Sequence, residues 1–340
     1  MRIRSLDLAR GFTVLFVAPI HAVLLFSRPE VYNTWFGDCL RFIAEGPGGQ
    51  LFMLLMGTSF VLSNHTDLYS VLKKVVQLLV AGYALNFLKF VLPAMLNILP
   101  AGVYPALGIH RDVNGILQMF LTGDILQFAA LALLVIYAIS KLPCYPMWAI
   151  ITATVICFMT PMLYDSHSAN AVTNYLLELL SGQAPHVFFP VLPWIVYPLA
   201  GLVIGYAIKQ QKTSIFRYSL MTGLILLLIS SSNWLPYTHK FNVSFYRTYP
   251  PGTLYHLGIV LIWLYIMHWV SKINPHRFLL KPFTFSSRHI TLIYFVQWAL
   301  ICWSLPFIGF RVLGNTASIG IAVLFGVLSI MVSAVLLLIA

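Results

Sequence analysis

The chain has 340 residues, of which 60% are hydrophobic and only 9% carry a charge. A water-soluble domain is roughly 25% charged, so this composition excludes a protein whose surface faces water on every side. The net charge of +11 is spread over short tracts between apolar segments, whereas a nucleic-acid-binding protein concentrates its basic residues on one face. The four cysteines have no metal-ligand spacing and predict neither a zinc site nor a disulfide framework.

Apolar runs recur along the whole chain, and about 20 residues are needed to cross a hydrocarbon core of about 30 Å. The sequence therefore predicts an all-α, polytopic transmembrane bundle of ten spans that forms one membrane domain, residues 1–340. The first run lacks a small-residue cleavage site, so we interpret it as a retained helix and not as a signal peptide. The predicted spans are 8–26, 48–63, 75–99, 117–140, 148–164, 187–208, 215–234, 253–270, 290–308 and 317–340.

The distribution of Lys and Arg predicts the orientation of the bundle, because basic residues accumulate in cytoplasmic connections. With the N-terminus inside, thirteen basic residues lie on that side and six on the other, while Lys89 lies within a span. We therefore expect both termini to be cytoplasmic. The long connections 27–47, 100–116, 165–186 and 235–252 then face outward, where they either handle an acceptor substrate or simply cap the bundle.

The first span carries three notable ionisable residues, Asp7, Arg10 and His21. Asp7 and Arg10 are i,i+3 neighbours, and the eleven positions from Arg10 to His21 make about three full turns, so all three project from one stripe. An ionisable residue as deep as His21 usually faces the bundle interior or a polar cavity and is a functional candidate. The alternative is a structural histidine that donates one hydrogen bond to a neighbouring helix.

Short motifs along the chain resemble the transmembrane acyltransferase superfamily. Residues 4–12 (RSLDLARGF) followed by His21 are similar to its opening motif, and 46–59 (GPGGQLFMLLMGTS) to its second span. Residues 189–194 (FPVLPW), with glycines at 201 and 205, and the segment 249–251 (YPP) are similar to later blocks. Their order and spacing resemble the heparan-α-glucosaminide N-acetyltransferase family and its bacterial relatives. One departure is Gln297, at a position where relatives often have histidine.

This resemblance implies an acyl-CoA-dependent O- or N-acyltransferase in a membrane, with acetyl-CoA as donor, no metal and no nucleic-acid partner. Its acceptor would be an amine or hydroxyl of an extracytoplasmic saccharide, and the membrane would be the inner membrane of a bacterium. His21 would act as general base or as nucleophile, with Asp7 and Arg10 on the same stripe. The mapping onto His21 follows the bacterial relatives, because the animal branch places its key histidine outside the first helix.

Asp124 is a further catalytic candidate, at a depth in the fourth predicted span similar to that inferred for His21. A carboxylate paired with the imidazole would raise its basicity and fix its tautomer. The alternative is a capping box formed by Asp124 and Gln127, with residues 113–121 as an interfacial helix before the true span. The sequence leaves both interpretations open.

Coenzyme A carries phosphates that need cationic partners, and several basic residues lie at predicted cytoplasmic helix ends. Most such residues only determine topology; Arg10 is the best placed for CoA contact because it shares a stripe with His21. In the second span, small residues around Ser59 either allow close helix packing or form a groove for the acyl-CoA arm. Prolines beside Trp194 indicate either a pocket wall or a simple kink. The candidate CoA contacts are Arg10, Ser59, Lys73, Lys74, Trp194 and Arg288.

Two other classes of function compete with an acyltransferase. A secondary transporter is expected to have broken helices at corresponding positions of two halves, and only the sixth predicted span is strongly broken. A non-catalytic scaffold would leave the alignment of Asp7, Arg10 and His21 without a purpose. The small-residue faces also permit a homodimer.

Overall fold

The structure is a computed structural model that describes residues 3–63, 66–240, 244–273 and 277–339. Within those ranges every regular element is helical, and extended pairing is confined to isolated bridges such as the one between Ser27 and Leu313. The predicted all-α class is therefore confirmed. A helix satisfies its own backbone N–H and C=O groups, which lipid cannot do, so an apolar chain of this kind folds into helices.

The α-helices of the described residues are α1 (Arg4–Phe26), α2 (Trp35–Ile43), α3 (Gly49–Leu62), α4 (Leu68–Asn86), α5 (Leu92–Met95), α6 (Val103–Ala106), α7 (Val113–Leu121), α8 (Ile125–Ser140), α9 (Tyr145–Met159), α10 (Ala171–Ser181), α11 (Val191–Trp194), α12 (Val196–Lys209), α13 (Ile215–Ser230), α14 (Pro250–Lys272), α15 (Arg277–Arg288), α16 (Ile290–Ile308) and α17 (Asn315–Ile339). Two π-helical segments, Ala44–Gly48 and Phe87–Val91, continue α2 and α4. Short 3₁₀ segments occupy Pro29–Asn33, Thr160–Leu163 and Thr238–Lys240.

Seven helical runs among the described residues are long and apolar enough to cross a membrane. They correspond to the first, third, fifth, sixth, eighth, ninth and tenth predicted spans, and the ninth has the predicted bounds. Ala340, the last residue of the tenth predicted span, lies outside the described residues. The seven runs are Arg4–Phe26, Leu68–Met95, Tyr145–Leu163, Val191–Lys209, Pro250–Lys272, Ile290–Ile308 and Asn315–Ile339.

The other three predicted spans correspond to shorter helices. Helices α8 and α13 have 16 residues each, and α3 has 14 but follows the π-helical segment Ala44–Gly48 without a break. Sixteen residues of α-helix rise about 24 Å, which is less than a hydrocarbon core of about 30 Å. The total of ten spans and the cytoplasmic position of both termini therefore stay predictions.

The prediction of a continuous fourth span, 117–140, was wrong. The chain leaves the helix after Leu121 and starts a new one at Ile125, with extended backbone at Asp124. The Asp124 side chain accepts a hydrogen bond from the Gln127 amide, and the Gln127 side chain accepts one from the Asp124 amide at 3.2 Å, which makes the capping box; Asp124 also accepts from the Ile125 amide. The alternative interpretation, a separate helix over residues 113–121 followed by a capped span, is confirmed in its bounds.

The predicted connections contain helices that the hydropathy pattern does not indicate. Helices α2, α6 and α10 lie in segments that were expected to be long loops, and α15 lies in a connection that was expected to be short and basic.

The break in the sixth span is confirmed, because Leu192 has non-helical backbone angles between Pro190 and Pro193.

The chain forms two compact units. The first, called here the Trp194 unit, comprises Gln50–Tyr83 and Thr122–Ile266. The second, called here the His21 unit, comprises the described parts of residues 2–49, 84–121 and 267–340.

Helices α3 and α12 of the Trp194 unit approach each other through glycine. A Cβ atom added at Gly201 would overlap the carbonyl oxygen of Leu54, and one added at Gly57 would overlap that of Pro198. The hydroxyl of Thr58 donates to the Gly201 carbonyl at 3.1 Å across this contact. The small residues of the second predicted span therefore provide close helix packing, as one of the two interpretations expects.

In the His21 unit, α1 packs against α15, α16 and α17. A Cβ atom added at Gly11 would overlap the backbone of Phe283, so α15 crosses α1 at that glycine. Near the other end of α1 the rings of Phe26 and Phe325 lie 5.3 Å apart. The guanidinium of Arg28 donates to the carbonyl of Val312 at 2.9 Å and fixes the chain that leaves α1. Both ends of α1 are thus held by later parts of the chain.

The glycine contact between α3 and α12 predicts that Gly201→Ala destabilises the protein. The new methyl group has no space beside Leu54, and overpacking of this kind costs about 1–3 kcal/mol. The thermal midpoint of the purified protein in detergent should fall. The matched control is Gly320→Ala on α17, where a Cβ atom meets nothing within 4 Å. An equal fall in both variants would show that the effect does not come from the contact.

Candidate active site

Asp7 and Arg10 lie together near the start of α1, as the i,i+3 spacing predicts. The carboxylate oxygen of Asp7 lies 4.0 Å from the Arg10 guanidinium and accepts a hydrogen bond of 3.1 Å from the Ser287 hydroxyl. Ser287 belongs to α15, which reaches α1 because Gly11 leaves room for its backbone. Arg288 is the next residue of α15 and is exposed.

His21 lies in the last turns of α1, eleven residues beyond Arg10, or about 16 Å along the helix axis. Its imidazole stacks on the indole of Trp298, with the ring centroids 4.2 Å apart and the planes inclined by 26°. The ring of Tyr294 meets the imidazole edge-on at 6.3 Å. Tyr294 and Trp298 are i,i+4 neighbours on α16 and therefore share one face. Two aromatic rings of one helix thus hold the imidazole.

Lys89 is a cation within the helical run Leu68–Met95, and only 1% of its surface is exposed. Its ammonium lies 4.7 Å from the centroid of the Trp298 ring and 5.0 Å from that of Phe90. Lys89 lies in the π-helical segment Phe87–Val91, and such segments occur frequently at functional sites. The indole N–H of Trp303 donates to the Leu88 carbonyl at 3.1 Å and ties this segment to α16.

The ammonium of Lys89 and the imidazole of His21 contact the same indole ring. Their distances from its centroid are 4.7 and 4.2 Å, so at most about 9 Å separates them. Cation–π contact with a desolvated indole stabilises a buried ammonium by about 2 kcal/mol or more. The arrangement therefore holds a positive charge close to a group that can accept a proton.

Two adjacent residues of α16 carry buried polar atoms without a hydrogen bond in the described structure. Gln297 is 0% exposed, and neither its amide nitrogen nor its amide oxygen has a partner there. The indole nitrogen of Trp298 is buried and equally lacks one. A buried polar group without a partner lowers the free energy of unfolding by about 1–3 kcal/mol, so these atoms destabilise the folded protein. Each buried group of this kind calls for an explanation, such as a catalytic role or a bound water or ion.

The connection after α1 carries titratable groups that lie outside the membrane-spanning runs. Burial raises the pKa of Tyr32 to about 12, although the nearby Arg311 lowers it. Burial also raises the pKa of Glu45, and Arg41 partly opposes this shift. Tyr32 is therefore neutral at physiological pH, and Glu45 takes up a proton more readily than an exposed glutamate.

The predicted site residues are divided between the two units. The His21 unit contains His21, Asp7, Arg10 and Arg288, and it brings Asp7 and Arg10 together near one end of α1. The Trp194 unit contains the remaining candidates. These are Ser59, Lys73, Lys74, Asp124 and Trp194.

Within the Trp194 unit the candidates differ in their surroundings. Trp194 is 1% exposed, and its indole donates to the Tyr246 carbonyl at 2.7 Å, so it lies inside an aromatic cluster with Phe189 and Phe245. Lys73 and Lys74 are exposed, and they lie in the second turn of α4 because this helix starts earlier than the predicted span. Ser59 is half-buried on α3, and Asp124 caps α8.

Sequence reasoning missed Lys89 and Trp298 as partners of His21. Lys89 had a usable signal, because a lone cation inside an apolar run is a functional candidate by position alone. Trp298 had none, since an aromatic residue in an apolar helix is ordinary. Its importance depends on contacts with residues far away in the chain.

The comparisons with known proteins point to one family. The family model described as "Heparan-alpha-glucosaminide N-acetyltransferase, catalytic" matches residues 2–234. The matched region contains His21 and Lys89 and ends before α14, so Gln297 and Trp298 lie beyond it. No curated protein and no solved structure matches the chain.

The unsatisfied amide of Gln297 predicts that Gln297→Leu stabilises the protein. Leucine fills a similar volume without polar atoms, so the free energy of unfolding should rise by about 1–3 kcal/mol, and the thermal midpoint should rise with it. Gln297→Glu is the matched control, and it should lower the midpoint because it places a charge in the same buried position. Thermal unfolding in detergent measures both. A fall for leucine as large as that for glutamate would show that the amide has a partner in the folded protein.

Proposed function

Because this chain belongs to the heparan-α-glucosaminide N-acetyltransferase catalytic family, we propose that it is a membrane acetyltransferase that uses His21. The acetyl group comes from cytoplasmic acetyl-CoA and goes to an amine or hydroxyl of an extracytoplasmic saccharide. The observation that carries this proposal is the geometry of α1. The Arg10 guanidinium lies near one end of it, and a half-buried imidazole lies about 16 Å further along.

The arginine end of α1 suits the nucleotide part of coenzyme A. The diphosphate and 3′-phosphate are anions, and guanidinium groups bind such oxygens with paired hydrogen bonds. Asp7 contacts both Arg10 and Ser287, so it orients the arginine and links it to α15. From this end an extended pantetheine arm running along α1 brings the thioester towards His21.

At the other end, His21 has the chemistry that acyl transfer requires. As a general base it takes the proton of the acceptor amine or hydroxyl while that group attacks the thioester carbonyl, and it then returns the proton to the CoA sulfur. As a nucleophile it first forms an acyl-imidazole, which the acceptor resolves in a second step. The stacked ring of Trp298 fixes the imidazole plane in either route.

The membrane setting follows from the predicted orientation. Acetyl-CoA is made inside the cell and binds on the side of the basic, cytoplasmic connections. The saccharide binds on the side of the long outward connections. We assign the protein to the inner membrane of a bacterium, since its first-helix motif resembles the bacterial relatives. The small-residue faces are compatible with a homodimer.

His21→Ala should abolish acetyl transfer without unfolding the protein, because the reacting proton or acyl group loses its carrier. The measurement is release of CoA thiol from acetyl-CoA by purified protein in the presence of glucosamine-type acceptors. His268→Ala is the matched control, since His268 is a half-buried histidine of α14 to which we assign no role. Turnover of His21→Ala close to the wild-type rate would contradict the proposal.

The same preparation separates an enzyme from a transporter. A transporter in proteoliposomes would take up labelled saccharide with a proton or sodium gradient and without acetyl-CoA. An acetyltransferase releases CoA and delivers acetylated saccharide. Uptake without acetylation would therefore replace the proposed function with the competing one.

Arg10→Ala should raise the KM for acetyl-CoA about tenfold and leave kcat less affected, because the guanidinium binds the phosphates equally in the ground and transition states. Acetyl-CoA should raise the thermal midpoint of the wild type more than dephospho-CoA does, and Arg10→Ala should reduce that difference. Lys272→Ala, at the end of α14, is the control for loss of a basic side chain. An unchanged KM in Arg10→Ala would remove Arg10 from the donor site.

A further inference from the structure

Two groups beside His21 have no part in the chemistry described so far. The Lys89 ammonium and the Trp298 indole N–H are both buried, and both belong to the contact that surrounds the imidazole. Each is a hydrogen-bond donor. Their common property is therefore the ability to stabilise negative charge.

Burial of the Lys89 ammonium lowers the stability of the fold, so its presence indicates a function. A buried ammonium must be desolvated, and a membrane protein retains such a residue chiefly where it serves a site. Here the chain departs from regular α-helix to a π-helical turn at Lys89, and Trp303 holds that turn against α16. The cation is thus fixed within about 9 Å of the imidazole.

The indole of Trp298 supplies a second donor in the same place. Its ring contacts His21 and Lys89, while its N–H has no partner in the described structure. An indole N–H that is buried normally finds an acceptor. A substrate oxygen in this cluster would provide one.

We propose that Lys89 and Trp298 form an oxyanion-binding site for the acyl group that His21 helps to transfer. The site would bind the carbonyl oxygen of an acyl thioester and stabilise it as it becomes negatively charged. This inference rests on the proposed acetyl transfer. It holds for both routes at His21, because each passes through a tetrahedral intermediate with the same oxyanion.

Acyl transfer exchanges one bond at the carbonyl carbon for another. The attacking nitrogen or oxygen forms a bond to the thioester carbonyl carbon, and the π pair moves to the carbonyl oxygen, next to Lys89 and Trp298. When the pair returns, the carbon–sulfur bond breaks and CoA leaves as a thiolate. In the general-base route the thiolate receives the proton that His21 took from the attacking group. In the nucleophilic route His21 is the attacking group, and the thiolate receives the proton that the acyl-imidazolium loses from its other nitrogen. The acceptor then attacks the acyl-imidazole, and the released imidazole takes the acceptor's proton. Donors that are already aimed at the oxyanion need no reorganisation during this step.

The experiment compares Lys89→Met and Trp298→Phe with the wild type. Methionine keeps an unbranched side chain without the charge, and phenylalanine keeps a ring against His21 without the N–H. Loss of one oxyanion donor lowers kcat by about 10² to 10³, so we expect a fall of that size for Lys89→Met and about tenfold to a hundredfold for Trp298→Phe. The KM for acetyl-CoA should change less than about threefold in both, because the oxyanion exists only in the transition state.

The matched control is Trp269→Phe on α14, which removes the N–H of an indole that is 57% exposed. It should leave kcat within about threefold of the wild type. Lys89→Arg is the second control, since it retains the charge and should retain more activity than Lys89→Met. If Lys89→Met does not fold, Trp298→Phe decides the question.

Hydrolysis of acetyl-CoA by water makes the test independent of the saccharide, because water attack passes through the same oxyanion. If both variants fold and keep kcat within about threefold of an active wild type, the oxyanion site is overturned and acetyl transfer stands. If the wild type neither transfers nor hydrolyses the acetyl group, the proposed function itself is overturned. A fall in kcat without a matching change in KM supports the site.

Discussion

The structure depends on the requirement that every backbone polar group be satisfied inside the protein, because lipid offers no hydrogen bonds. Helices meet this requirement along most of the chain, and the exceptions are informative. The break before α8 is closed by the Asp124 capping box, and the π-helical turn at Lys89 is held by Trp303. At both irregular segments a side chain makes a hydrogen bond to the backbone. The second of them, the π-helical turn, positions the buried ammonium of Lys89.

Hydropathy predicted the long helices well because a span is a local property of the sequence. The bounds of α16 and the run of α1 follow from apolar length alone. The fourth span failed because hydropathy averages over Asp124, whereas the spacing of Asp124 and Gln127 gave the capping alternative its basis. Helix α15 was missed because its residues are mixed in polarity, and it is identified by packing on Gly11.

The candidate site was predictable only in the part that lies within one helix. Asp7, Arg10 and His21 share α1, so the helical repeat places them on one stripe, and the Asp7–Arg10 pair is confirmed. Lys89 and Trp298 come from segments that are far from His21 in sequence. No local pattern relates them, because their contacts arise from the packing of α16 beside α1. The position of Lys89 within an apolar run marks it as unusual, but no local pattern identifies the residues that it contacts.

The π-helical turn around Lys89 has an evolutionary consequence. Such a turn holds one residue more than an α-helical turn, so a single-codon insertion into an ordinary helix is enough to create it. The wider turn absorbs the extra residue, so the helix on either side of it keeps its faces and only the residues within the turn are displaced. A basic side chain within the turn can in this way reach the ring of Trp298 while the flanking helix keeps its packing. In this chain, the number of residues in a turn matters as much as their identity.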